Sequence, residues 1–193
     1  MVGMEPSTPD DAAPIHAVQL LIGTVVLLWG IEIVDSVFLG DALQAQGIRP
    51  RTWSGFDGIL WAPFLHGSLG HLISNTIPFI VVGGIVMLRG IRLWSGVTLI
   101  VMVVGGLLVW LLARPSLHIG ASILIFGYLG YLAVVGFFEK DLRWIAVGFG
   151  VMFVYGGTLI VGILPIQRGI SWEGHLFGLA GGVLAAYLLR SPD

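Results

Sequence analysis

Four polar side chains, far apart in the sequence, are of the types that an acyl-transfer reaction needs. Ser122 carries a hydroxyl that can act as a nucleophile, and His175 is a base able to accept its proton near neutral pH. His71 and Asn75 are four residues apart, so they share a helix face and can both donate hydrogen bonds to an oxyanion. The set predicts a Ser-His dyad with oxyanion donors, provided that the fold brings the four side chains together.

The composition places these residues in a membrane protein. Hydrophobic residues make up 56% of the 193-residue chain and charged residues 10%, with a mean hydropathy of +0.97, whereas about 25% of a soluble domain is charged. The chain contains 0 Cys, which excludes disulfides, thiolate zinc sites and thiol catalysis. A formal net charge of -2 without a basic stretch argues against a nucleic-acid partner. We therefore expect an integral membrane protein whose surroundings are the lipid bilayer.

The apolar residues form six runs, each close to the roughly 20 residues that span a bilayer. The runs are 17–39, 69–88, 93–112, 119–138, 144–164 and 174–189. They predict an all-α, polytopic bundle of six transmembrane helices over residues 17–190, preceded by an acidic tail, 1–16, that is expected to be disordered. The long connection 40–65 mixes aromatic and polar residues, which predicts an amphipathic segment at the membrane interface.

The predicted topology places the four polar side chains at one depth. In a six-helix serpentine chain the second, fourth and sixth helices all start on the same side of the membrane, and the four residues lie near those starts. Contact between the short side chains of Ser122 and His175 requires that their helices approach closely. Gly178 and Gly182 have the spacing that permits such an approach between transmembrane helices.

Two neighbouring groups are rivals for roles in this site. His118, four residues before Ser122, is a second possible base, but its loop position predicts a solvated surface side chain. Glu173, two residues before His175, could orient the imidazole as a triad acid does, but its position before the predicted helix favours exposure to water.

Purely structural interpretations also exist for the polar residues. The Ser122 hydroxyl could bond its own helix backbone, and His71 and Asn75 could form ordinary interhelical hydrogen bonds. Glu32 and Asp35, near the end of the first predicted helix, are the carboxylates inside the predicted spans and are expected to be interfacial or paired rather than catalytic. Since the histidines include no His-x-x-x-His pair on one helix face, no metal site is predicted.

Three separated motifs resemble those of the rhomboid family of intramembrane serine proteases. In chain order they are His66-Gly-Ser-Leu-Gly-His71-Leu-Ile-Ser-Asn75, Gly120-Ala121-Ser122, and His175 followed by Gly178 and Gly182. The motifs occur in the family's order on the second, fourth and sixth predicted helices, and the resemblance extends over roughly residues 17–189.

The resemblance implies a serine endopeptidase that hydrolyses peptide bonds in or near transmembrane segments of other membrane proteins, without a cofactor or a metal. Ser122 and His175 would be the catalytic dyad, and the oxyanion hole would consist of His71, Asn75 and the backbone N–H of Ser122. The residues that would support this site are His66, Gly120, Phe126, Gly178 and Gly182, with Phe126 stacking on the catalytic histidine.

The sequence departs from the family pattern beside the nucleophile. Ile123 follows the serine where the family commonly has Gly, and we expect this bulky residue to alter packing beside the oxyanion hole or to narrow the substrate groove. Phe126 stands where the family often has Tyr, a change that preserves stacking.

Two other functions remain as alternatives. A catalytically inactive relative would bind or escort membrane proteins, although such relatives usually lack the serine or the histidine, and this chain retains both. A small channel or transporter is disfavoured because the sequence has no evident inverted repeat. The compact form predicts a multi-pass protein of a prokaryotic plasma membrane, and the basic residues favour a cytoplasmic N-terminus by a small margin.

Overall fold

The chain folds as a bundle of α-helices, and the computed structural model describes residues 9–166 and 169–191. In chain order the helices are α1 (Pro9–Val34), α2 (Gly58–Trp61), α3 (Leu69–Met87), α4 (Ile91–Ile100), α5 (Gly106–Leu112), α6 (Ser122–Phe138), α7 (Leu142–Ile163) and α8 (Trp172–Leu188). A π-helical turn, Val101–Gly105, joins α4 to α5, so that Ile91–Leu112 is one continuous helical rod.

Several of these helices can cross a membrane. Within the described ranges, four segments are long and apolar enough to do so: Ile15–Leu39, Leu69–Met87, Ile91–Leu112 and Leu142–Ile163. The apolar helix α6 is shorter, with 17 residues, and α8 has the same length. The prediction of an all-helical membrane bundle is therefore confirmed, and each of the six apolar runs corresponds to one helical segment.

The beginning of the chain differs from the predicted boundary. Helix α1 already includes Pro9, so residues 9–16 are helical and not part of a separate tail. An established helix gains a hydrogen bond for most residues that it adds, which favours this extension once the apolar run has nucleated it; Pro14, which has no N–H, is the exception. The rest of the predicted tail, 1–8, lies outside the described residues.

Helix α6 forms the centre of the bundle and packs against α3, α7 and α8. It is apolar on all sides, as expected for a helix that is buried all round. Its side chains Tyr128, Leu129 and Leu132 are each at most 1% exposed. Helix α6 therefore fixes the positions of the helices that surround it.

Glycines bring α8 into direct backbone contact with α6. A Cβ atom added at Gly178 would overlap the carbonyl oxygen of Ile123, and one added at Gly182 would overlap that of Gly127. No larger side chain fits at either position without separating the helices. The close approach that the sequence predicted from this glycine spacing is present in the structure.

The connection between α1 and α3 supports the residues that precede α6. Ile48 and His118 form an isolated antiparallel bridge with two N–H···O hydrogen bonds of 3.0 Å. The N–H of Gly120 donates to the carbonyl of Ala62 over 2.8 Å. These contacts hold the chain on both sides of residue 119 before it enters α6, while Trp53 of the same connection is 84% exposed.

An ionic network joins the helix ends opposite the start of α6. Arg89, just after α3, donates to both carboxylate oxygens of Glu139 at 2.6 and 2.8 Å and to the Tyr131 hydroxyl at 2.6 Å. The Arg89 guanidinium also lies 4.8 Å from the centre of the Trp144 ring in the first turn of α7. The buried residues of α7, Gly148 and Val151, both lie in its first half, so α7 packs more closely against the bundle in this half than in its second half.

Candidate active site

A cavity of about 1230 Å³ lies at the start of α6. Its walls come from α3, the segment before α6, α6 itself, α7 and α8. The polar side chains that the sequence singled out share this wall: His71, Asn75, Ser122 and His175. The fold therefore brings together four groups that are far apart along the chain.

Backbone contact between α6 and α8 occurs next to Ser122 and His175. Ser122 is the first residue of α6, and the carbonyl of the following residue, Ile123, touches Gly178. Gly178 lies about one helical turn after His175. The two side chains therefore start from backbones that lie side by side, and both face the cavity.

The orientation of the His175 ring is fixed from two sides. Its Nδ1 lies 2.9 Å from the carbonyl oxygen of Gly162 in the last turn of α7. The Phe126 ring stacks on it, with centroids 4.0 Å apart and planes 6° from parallel. A carbonyl oxygen can only accept a hydrogen bond, so Nδ1 carries the hydrogen and Nε2 of the neutral ring keeps its lone pair. His175 is thus arranged as a base through Nε2.

Two hydrogen-bond donors stand beside Gly120, which precedes the serine by two residues. A Cβ atom at Gly120 would lie 2.8 Å from Nε2 of His71 and 3.6 Å from Nδ2 of Asn75. The Asn75 Nδ2 group is buried without a hydrogen-bond partner among the described residues. The N–H of Gly67 faces Nδ1 of His71 over a long 3.5 Å, which favours the tautomer with the hydrogen on Nε2. Both side chains can therefore donate near the start of α6.

His66 supports the segment that leads into α6. It is 1% exposed, its ring centre is 5.1 Å from that of His71, and its Nε2 accepts a hydrogen bond of 3.4 Å from the N–H of Ala121. Burial, with a smaller contribution from the neighbouring His71, lowers the pKa of His66 to about 4. His66 is therefore neutral at physiological pH and holds the segment that leads into Ser122.

The expectation that His118 is a solvated surface residue is wrong. The side chain is buried, its Nδ1 lies 2.7 Å from the Ser171 hydroxyl, and its Nε2 lies 3.1 Å from the carbonyl oxygen of Arg114. The bridge to Ile48 draws it beneath the connection between α1 and α3. Burial lowers the pKa of His118, and since both ring nitrogens already have partners, neither is available to activate Ser122.

Glu173 also differs from its expected exposure to water. It is 2% exposed and lies in the first turn of α8, where its Oε1 is 3.4 Å from Nε of Arg114 and 3.3 Å from the N–H of the same residue. The ion pair with Arg114 offsets part of the cost of burying the carboxylate, whose Oε2 has no hydrogen-bond partner among the described residues. Glu173 therefore binds Arg114 through Oε1, and the hydrogen-bond partner of the His175 ring is the carbonyl of Gly162 and not this carboxylate.

Of the two effects expected of Ile123, the structure shows packing beside the start of α6 and not a narrowing of the large cavity. It is 6% exposed and is absent from the described lining of that cavity. Its Cδ1 instead reaches towards Gly105 in the π-helical turn, where a Cβ atom would lie 3.3 Å away. The absence of a side chain at Gly105 provides the space for this larger residue after the serine.

Glu32, near the end of α1, and Asp35, just after it, lie apart from the cavity wall. Glu32 and Asp35 are each 2% exposed, and Oδ1 of Asp35 accepts a hydrogen bond of 2.8 Å from the N–H of Leu43. Asp35 therefore closes the turn that follows α1, which is a structural role.

These features define a class: a multi-pass helical membrane protein with a cavity whose wall carries Ser122, His71, His175 and Asn75. The chain belongs to the rhomboid family, since the family model described as Rhomboid domain matches residues 52–192. Proteins of Mycobacterium tuberculosis and Mycobacterium bovis are 42% identical to it over 178 residues, covering 88% of this chain and 73% of theirs. A Mycobacterium leprae protein is 39% identical over 178 residues, 88% of this chain and 70% of its own. All three are named only as uncharacterized.

Proposed function

We propose that this rhomboid-family protein is an intramembrane serine endopeptidase that uses Ser122 as nucleophile and His175 as general base. The observation that carries the proposal is the fixed orientation of His175 on the wall that it shares with Ser122: Nδ1 is bound to Gly162, which leaves Nε2 free to act. A serine hydroxyl is a weak nucleophile until such a base removes its proton.

These groups and one water molecule are sufficient for both steps of peptide-bond hydrolysis. Nε2 of His175 takes the hydroxyl proton while Oγ of Ser122 attacks the scissile carbonyl, forming a tetrahedral oxyanion. The intermediate collapses when the C–N bond breaks and His175 gives its proton to the leaving amine, which leaves an acyl-enzyme. A water molecule, deprotonated by His175, then hydrolyses the ester and regenerates the serine.

The oxyanion would be stabilised by three donors. The side chains of His71 and Asn75 present N–H groups beside Gly120, and Ser122 adds its backbone N–H. As the first residue of α6, Ser122 lies in the turn whose N–H groups have no intrahelical partner. The positive end of the helix dipole at the same place favours the negative charge that develops.

The substrates in this proposal are other membrane proteins, cleaved in or near a transmembrane segment at a small residue. The site lies at the start of α6, and Glu139 and its ionic network lie at the other end of that helix. We place the network and the N-terminus on the cytoplasmic side of a bacterial plasma membrane. The mycobacterial relatives support a bacterial membrane.

A fluorophosphonate probe tests the proposal without knowledge of the natural substrate. The purified protein in detergent or in nanodiscs is incubated with the probe, and the second-order labelling rate is measured for wild type, Ser122→Ala and His175→Ala. We expect labelling of wild type that is lost in both variants. Exposed Ser95 and His16 provide the matched controls Ser95→Ala and His16→Ala, which should label as wild type does.

Two results would contradict this assignment. Labelling that survives in folded Ser122→Ala would place the reactive nucleophile elsewhere. A folded wild type that neither labels nor cleaves a panel of single-pass membrane proteins in proteoliposomes would favour the inactive relative that binds membrane proteins. Thermal unfolding of every variant establishes that it is folded.

A further inference from the structure

The position that a carboxylate occupies in a serine protease triad is occupied here by a helix end. A triad acid accepts the hydrogen bond from Nδ1–H of the catalytic histidine, fixes its tautomer and stabilises the imidazolium that forms. In this chain the acceptor 2.9 Å from Nδ1 of His175 is the backbone carbonyl of Gly162. Glu173, the nearest acid in the sequence, is bound to Arg114.

The Gly162 carbonyl is well suited to this task because of its place in α7. Helix α7 ends at Ile163, so Gly162 lies in the last turn, where carbonyl groups have no N–H partner within the helix. A helix of 22 residues carries a partial negative charge at this end, which stabilises a cation placed there. An orphan carbonyl at a helix C-terminus thus supplies both features of a triad acid, the acceptor and the negative charge.

Only glycine fits at this position. A Cβ atom at residue 162 would overlap Cζ of Phe126, lie 3.0 Å from its Cε1 and lie 3.1 Å from Nδ1 of His175. Because the Phe126 ring stacks directly on His175, a side chain on α7 would push apart the three groups that touch here. The missing side chain is what lets the carbonyl reach the imidazole.

We propose that Gly162 is a positioning residue for the reaction: its carbonyl, at the negative end of α7, fixes the Nδ1–H tautomer of His175 and stabilises the protonated ring during catalysis. This inference rests on the proposed protease function for its catalytic part. Its structural part, the tautomer of His175, can be measured independently of any activity.

The test compares Gly162→Ala with Gly156→Ala, which adds the same methyl group to α7 where nothing lies within 4 Å. Nitrogen NMR of protein labelled at its histidines distinguishes Nδ1–H from Nε2–H tautomers, and a His175→Ala spectrum assigns the signal. We expect Gly162→Ala to lose the pure Nδ1–H signature and to label with the fluorophosphonate about 10- to 100-fold more slowly, as for a buried donor left without its acceptor. Gly156→Ala should retain the wild-type spectrum and rate.

A second variant keeps the test decisive if Gly162→Ala does not fold. Phe126→Leu removes the ring atoms that the new methyl group would strike, so Gly162→Ala with Phe126→Leu should fold. Because the methyl group still lies 3.1 Å from Nδ1 of His175, the double variant should lose the Nδ1–H signature and label more slowly than Phe126→Leu alone. For a cleaved membrane-protein substrate, the loss in Gly162→Ala should appear in kcat and not in KM.

The inference requires that Gly162→Ala change both the tautomer of His175 and the labelling rate. Gly162→Ala that keeps both at the level of Gly156→Ala overturns it, and so does a variant that loses the rate while keeping the Nδ1–H tautomer. A wild type that does not label refutes the protease function instead, and the spectra then still decide whether Gly162 orients His175.

Discussion

Replacing Gly120 by alanine tests the contribution of the oxyanion donors separately from that of Ser122 and His175. Gly120 has a φ of +119°, a conformation that L residues rarely adopt, and forcing one into it costs about 1–3 kcal/mol. The new Cβ atom would lie 2.7 Å from Cε1 and 2.8 Å from Nε2 of His71. Ordinary contact begins at 3.4 Å, so the ring must move by about 0.7 Å.

That displacement takes the His71 donor out of hydrogen-bonding range of the oxyanion, which is about 2.7–3.1 Å. Loss of one such donor slows catalysis by about 10²–10³-fold. We therefore expect Gly120→Ala to lower the fluorophosphonate labelling rate by that factor and to lower the free energy of unfolding by about 2–4 kcal/mol. The control Gly150→Ala, on an exposed part of α7 with nothing within 4 Å, should change neither.

A double-mutant cycle with His71→Ala makes the reasoning refutable. Once the ring is removed, Gly120→Ala retains its backbone strain but has no donor left to displace, so the double variant should label as His71→Ala does. Gly120→Ala that is less stable yet labels at the wild-type rate would refute the oxyanion role of His71. A double variant that labels at least about tenfold more slowly than His71→Ala would show that the strain itself disturbs Ser122.

Two further predictions concern stability in detergent, measured by thermal unfolding. The pKa of His66 is about 4 in the folded protein against an ordinary value of 6.5, so the unfolded chain binds more protons between these pH values and stability falls by about 3 kcal/mol as the pH is lowered across them. His66→Gln should flatten this pH dependence relative to wild type, whereas replacing exposed His16 should not; equal slopes would contradict the burial argument. Arg89→Ala leaves the Glu139 carboxylate, with its side chain 7% exposed, without its ion-pair partner and should lower the free energy of unfolding by about 3–5 kcal/mol. The control Arg92→Ala, on an exposed surface, should lower it by less than about 1 kcal/mol. Similar losses in both variants would contradict a stabilising role of the buried ion pair.

The sequence was sufficient for the helical architecture because the apolar runs are long and are separated by charged turns. The spacing of Gly178 and Gly182 also predicted the close contact between α6 and α8, and the alternation of helices predicted that Ser122 and His175 lie on one side of the bundle. These are local or topological properties, which composition and spacing express directly.

The remaining parts of the site depend on contacts between distant segments. His118 is buried because it pairs with Ile48, and Glu173 is buried because it meets Arg114; neither pairing has a signal in the spacing of the residues. The role of Gly162 leaves no trace in the sequence because the functional group is a backbone carbonyl that every residue possesses. Only the overlap of an added Cβ atom with Phe126 shows why glycine is needed there.

Because α7 is buried only in its first half, a small tilt of this helix would displace the Gly162 carbonyl that binds His175. The last buried residue of this helix is Val151, and at 1.5 Å per residue the carbonyl of Gly162 lies about 16 Å beyond it. A tilt of about 5° around Val151 therefore moves that carbonyl by roughly 1.4 Å, a large change for a hydrogen bond. Bilayer thickness alters the tilt of transmembrane helices, so we expect a change of bilayer thickness that tilts α7 to alter the orientation of His175.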